Sequence, residues 1–278
     1  MDSRNNMARS SASRRHGRAK GLTLMELVVV LVVLAALAGI VVPLLPNVID
    51  RSHASTTATS IAEVNKAIQL YEATTLRAPD GWDSLISDAD GTHETFRDDR
   101  FTIVELDDGT PLAGRISSAL SAIGITRSYE FDDGIQGNGR PEGHANRPAS
   151  GARVNTFDPY SGVEFDLTDD GKVVILGPGA NEFNRLNLTD PADEPNTEAY
   201  VVFGIGARLT ALDRTLAEAP VHFPSQGDLD PTQAYGRMVA VYAIPSAGPA
   251  RLVRTAAVHN DHLDALGGLI AEFYDTTN

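Results

Sequence analysis

Nineteen consecutive residues, Leu27 to Leu45, carry neither a charge nor a hydrogen-bonding side chain. As a helix such a run rises roughly 28 Å, close to the ~30 Å hydrocarbon core of a bilayer, so it reads as a membrane segment. Arg4, Arg9, Arg14, Arg15, Arg18 and Lys20 precede it against a single acid, Asp2. That asymmetry places residues 1–20 in the cytoplasm and the remainder across the membrane. A secretory signal has a shorter apolar core, about 7 to 15 residues, followed by a cleavage site. Here the run continues through Val41, Val42 and Pro43, so ordinary signal cleavage is not expected.

Charge divides the chain in the same way. Residues 1–21 hold six of the 23 basic residues and one of the 37 acidic ones, so the rest stands at −19 against −14 for the whole chain. A body this acidic is repelled by nucleic-acid phosphates, which excludes nucleic acid as a partner, and it attracts cations. No cysteine is present, which rules out disulfide staples, thiolate metal sites and cysteine nucleophiles. Neither a G-x-S-x-G elbow nor a phosphate-binding loop occurs.

Glu26 sits just inside the leading end of the apolar segment. An ionised carboxylate in the apolar part of a membrane helix costs on the order of 3 kcal/mol and is usually paired. A cut between Gly21 and Leu22 would create a free amine four residues upstream to serve as that partner. The stretch KGLTLMELVVVLVVLAALAGIVVP resembles the signal of type IV pilins and type II secretion pseudopilins. That family's pattern is a basic leader ending in Gly, then a hydrophobic residue, Thr, two hydrophobics and Glu. Gly21, Leu22, Thr23, Leu24, Met25 and Glu26 match it in order, and the family's kinking proline falls on Pro43.

The resemblance implies cleavage after Gly21 by a prepilin peptidase, N-methylation of Leu22, and a register role for Glu26 toward the amine of a neighbouring subunit. It implies a structural subunit, not an enzyme, of a type II secretion or related type IV filament system. The subunit would be held single-pass in the inner membrane with a periplasmic head. Its implied partners are the peptidase, copies of itself or related pseudopilins, the assembly platform and the membrane. The alternatives are an adhesive type IV pilin, or a membrane-tethered enzyme or binding domain with a pilin-like anchor. The expected fold is α+β and pilin-like, with a long N-terminal helix packed on a C-terminal antiparallel sheet. Its parts are a leader at 1–21, a transmembrane helix at 22–46, an amphipathic continuation at 47–76 and a head at 77–278.

Past the membrane, Ile61, Val64, Ile68 and Tyr71 recur at helical spacing, so residues 22 to about 75 read as one helix of roughly 80 Å. Pro43 and Pro46 predict a kink or an unwound turn in it. Pro79, Asp80 and Gly81 make a turn, after which the resemblance implies a short helix, and Trp82 reads as core. Strands are expected at 101–106, 162–167, 172–177, 199–206 and 237–244, with a hairpin turn at Thr168 to Gly171. Helices are expected at 111–125, 206–219 and 261–275, and a surface loop at 132–151. Residues 157–184 are similar to the carboxy-terminal sheet of the major pseudopilin, which implies a calcium-holding loop. The candidate ligands are Asp158, Asp190, Asp193 and Glu194, with a carbonyl from Asn181. His259 and His262 lack the glutamate of a metalloprotease helix and read as a solvated helix start.

Overall fold

A computed structural model describes residues 24–41, 45–87, 100–131, 164–179, 181–206, 208–220, 238–259, 262–268 and 270. The chain divides into two compact units, Met1–Pro46 and Asn47–Asn278.

In the first unit, α1 spans Leu24–Val41 and takes Glu26 into its first turn. The uncharged part of this helix within the described residues, Leu27 to Val41, rises about 22 Å. Among the described residues no helix is long and apolar enough to cross a membrane. Of the expected rod from 22 to 75, the described residues form α1 at Leu24–Val41 and α2 at Leu45–Thr75, and residues 42–44 lie outside the described residues. The pilin-like fold, with its transmembrane half-helix and single-pass inner-membrane placement, is corrected accordingly. The chain is a mixed α+β protein with an open sheet.

α2 carries Pro46 in its first turn, where the missing N–H costs nothing. In its Ser/Thr-rich stretch the hydroxyls bond back one turn, Thr56 to the Ser52 carbonyl and Thr59 to that of Ser55, which satisfies them within the helix without adding to its stability. Ile61, Val64, Ile68 and Tyr71 form its buried stripe, as the spacing predicts.

The strands are β1 (Trp82–Ser87), β2 (Phe101–Glu105), β3 (Arg127–Phe131), β4 (Glu164–Asp166), β5 (Lys172–Leu176), β6 (Thr197–Gly204), β7 (Met238–Pro245), β8 (Arg251–His259) and β9 (His262–Ala265). They form one sheet in the order β4-β3-β1-β6-β7-β8-β9, and β5 joins β6 and carries β2 on its other side. All pairs are antiparallel except β1 with β3. The central strands are apolar on both faces because both are covered. Val201, Phe203, Ala240 and Tyr242 pack with α2 and with α3 (Pro111–Ile123). Tyr200, Val202, Val239 and Val241 pack with Phe183 and Leu186 of the short α4 (Glu182–Arg185) and its cap.

Four local expectations are overturned. The segment after Pro79-Asp80-Gly81 is strand β1, not a helix, with Trp82 fully buried against Phe203 and Tyr242. Where a helix is expected at 206–219, residues 208–219 form turns pinned by an isolated bridge between Leu212 and Leu216. The His259–His262 segment is a hairpin end, each residue the register partner of the other, and β9 replaces the start of the expected 261–275 helix. The turn at Thr168–Gly171 forms, with Gly171 donating to the Asp166 carbonyl at 2.8 Å, but it joins strands with different partners.

Candidate binding groove

Most polar side chains singled out by the sequence hold the fold. Asp80 is a hub: Oδ1 accepts from the Thr126 and Arg127 backbone N–H groups, both at 2.9 Å, and Oδ2 from the Thr126 hydroxyl and Arg127 Nε. Gly81, at φ +78°, passes so close to the Arg208 carbonyl that a Cβ would lie 2.6 Å from it. One carboxylate and one glycine thus lock the turn after α2 to β3 and to the turns at 208–216.

The proposed calcium ligands are partly dispersed. Asp190 is a loop staple, its Oδ2 accepting from Gly179 N–H at 2.7 Å and its Oδ1 from Ala192 N–H at 2.9 Å. Glu194 accepts from the Tyr200 hydroxyl at 3.4 Å, Asp193 is exposed, and Asn181 begins α4 without a side-chain cap. Among the described residues no three His, Cys, Asp or Glu side chains converge as a metal site. Asp158 lies outside the described residues, as do Gly21, Leu22, Pro43 and the 132–151 loop. Glu26 is exposed on α1.

A groove of about 630 Å³ opens on the body between α2, α4, β8 and the chain following β9. Ile61, Leu186 and Val253 make its apolar part, and Asn65, Asn184, Asn187, Arg185 and Arg254 its polar part. Among the described residues no carboxylate lines it, although Asp264 borders it at Arg185. Arg185 is partly exposed and reaches Asp264 at 3.4 Å. Arg254 donates from Nε to the Leu186 carbonyl at 2.7 Å, and from its terminal nitrogens to the carbonyls of Val253 and Asn187. A guanidinium has five N–H groups, so two remain without a protein acceptor among the described residues. Asn187, at φ +51°, turns the chain so that two successive carbonyls meet this one side chain. The sequence reading passed over both arginines. The signal available was the Asn-Arg-Leu-Asn stretch, whose last residue can adopt a left-handed conformation.

A second opening, about 500 Å³, lies at the end of α2 beside Glu72, Arg77 and Arg251. Burial raises the pKa of Glu72.

No protein-family model matches the chain, and no curated protein or solved structure is detectably similar to it. The resemblance to pilins and pseudopilins therefore has no support beyond the short signal stretch. Among the described residues no helix is long and apolar enough to supply the membrane span on which that assembly depends, and the type II secretion or type IV filament role is withdrawn.

Proposed function

We propose that the chain is a non-catalytic structural protein that works as an assembly of copies of itself. The observation that carries this reading is the surface of α1, where Leu24, Met25, Leu37 and eight residues between them are large, apolar and 47–82% exposed. They surround the helix, leaving no polar stripe to face water. A helix that is hydrophobic all round is stable only when enclosed, and an apolar surface of this extent marks a contact site.

A single docking groove would cover one side of such a helix. Copies of the same helix cover several sides at once and match its length. Ala35, Ala36, Ala38 and Gly39 favour close approach, and a Cβ added at Gly39 would meet nothing within 4 Å. The engagement of Asp80, Asp190 and Glu182 in structural bonds supports the non-catalytic part of the reading.

Sedimentation velocity of the full chain over the micromolar range tests it. The expected result is concentration-dependent oligomers that shrink when Leu31→Lys and Leu34→Lys are introduced together. A full chain that sediments as a monomer throughout, indistinguishable from that variant, would sink the proposal.

A further inference from the structure

We infer that the cationic groove is one half of a head-to-tail contact between copies, and that its occupant is the aspartate-rich corner of the next copy's sheet. That corner consists of two adjacent turns, Asp107-Asp108 after β2 and Asp169-Asp170 before β5, joined by the Leu106 N–H to Gly171 carbonyl bond at 2.8 Å. All four aspartates are exposed. Asp108 accepts from Thr110 N–H at 2.6 Å, whereas the carboxylates of Asp107, Asp169 and Asp170 have no partner among the described residues. The neighbouring Lys172 is engaged with Glu105 at 3.1 Å.

The groove offers what these carboxylates lack. Arg254 has two unspent N–H groups, Arg185 is partly exposed, and the Asn65, Asn184 and Asn187 amides surround them. Arginine forks match carboxylates in charge and in geometry.

The contact is between molecules because one copy cannot reach itself. The corner belongs to β2 and β5 and the groove wall to β8 and β9, with β6 and β7 fixed between them. At about 4.8 Å per strand this separates β5 from β8 by about 14 Å within one sheet. Made once per pair of copies, such a contact is heterologous and extends into a ring or an open row, whereas the same contact made twice, each groove on the other's corner, would close a two-fold dimer. This deepens the proposed self-association and rests on it.

The test uses the full chain, Arg185→Glu, and the double variant Asp169→Lys with Asp170→Lys, each checked by circular dichroism. The two aspartates are exposed, whereas Arg185 pairs with the buried Asp264, so circular dichroism matters most for Arg185→Glu. Each variant alone should weaken association on the order of tenfold and flatten its dependence on NaCl. An equimolar mixture should regain association, because the reversed groove meets the reversed corner. If the full chain self-associates but neither variant alters the assembly or its salt response, the head-to-tail contact is wrong while self-association stands. The contact is equally overturned if both variants weaken association and the mixture recovers none of it. A full chain that never associates removes both readings together.

Discussion

The carboxylates of this protein differ in what their surroundings demand of them. Glu182 is fully buried with Arg100 at 2.9 Å on one oxygen, and the other oxygen has no hydrogen-bond partner among the described residues. A buried charge with one partner is held by that partner alone. Asp166 is exposed, and bonds from the Thr168 hydroxyl and backbone N–H lower its pKa. Glu72 is the opposite case: burial at the end of α2, near the fully buried Tyr242, raises its pKa. A raised pKa means that the folded chain holds this proton more tightly than the unfolded one. The associated stability is complete below the unfolded glutamate value and is lost as pH rises through the folded value. Glu72→Gln mimics the protonated form. We expect it to melt at the same temperature as the parent in acid below the ordinary glutamate range, and at a higher temperature near neutrality. Parallel melting curves with no pH-dependent gap would show that the carboxylate is solvated in the folded state.

Among the elements, α3 is the one whose sequence and structure agree at every level. Thr110 accepts from Ala113 N–H, Pro111 opens the helix, Ala113, Ile116, Ala119 and Leu120 are buried, and Gly124 ends it at φ 90°. Removing the cap acceptor with Thr110→Ala leaves an N–H of the first turn unsatisfied. It should cost about 1 kcal/mol in urea unfolding with an unchanged slope. The same consistency made β5, β6 and β7 legible, since β-branched and aromatic runs bounded by turns admit few other readings. β1 was illegible because its backbone departs from a regular strand. Asp83 and Ser84 are buried and bond the N–H groups of Leu85 and Ile86, and Leu85 takes φ 62°. β8 hides two arginines and two alanines in a run without clear alternation, and β9 has only four residues. The leucines at 209, 212 and 216 keep helical spacing, yet Asp213 at φ 59° breaks any helix through them. The groove was unreadable for a related reason: its two arginines come from a four-residue helix and an unrecognised strand, and only the sheet brings them together.

At the scale of the molecule, charge and apolar surface oppose each other. The chain has a net charge of −14 and a sequence pI of about 4.8, so near neutrality the body repels itself. Its ion pairs, such as Arg127 with Asp80 at 3.2 Å and Arg100 with Glu182, are short-range and salt screens them little when they are partly buried. The repulsion among exposed carboxylates is long-range, and its reach falls from about 10 Å at 0.1 M salt to about 3 Å at 1 M. For the variant carrying Leu31→Lys and Leu34→Lys, NaCl raised to about 0.5 M should therefore raise the melting temperature through screening alone. Sodium chloride is the right probe, because sulfate would also strengthen apolar burial. In the full chain over the same NaCl range, the charge-paired contact between groove and aspartate corner should loosen, while association through α1 should hold, since apolar contact has no charge to screen. Stability rising as one mode of association falls is a pattern that a single uniform salt effect cannot produce. A melting temperature that drops with NaCl would mean that the ion pairs outweigh the repulsion, and that the body's acidity is locally compensated.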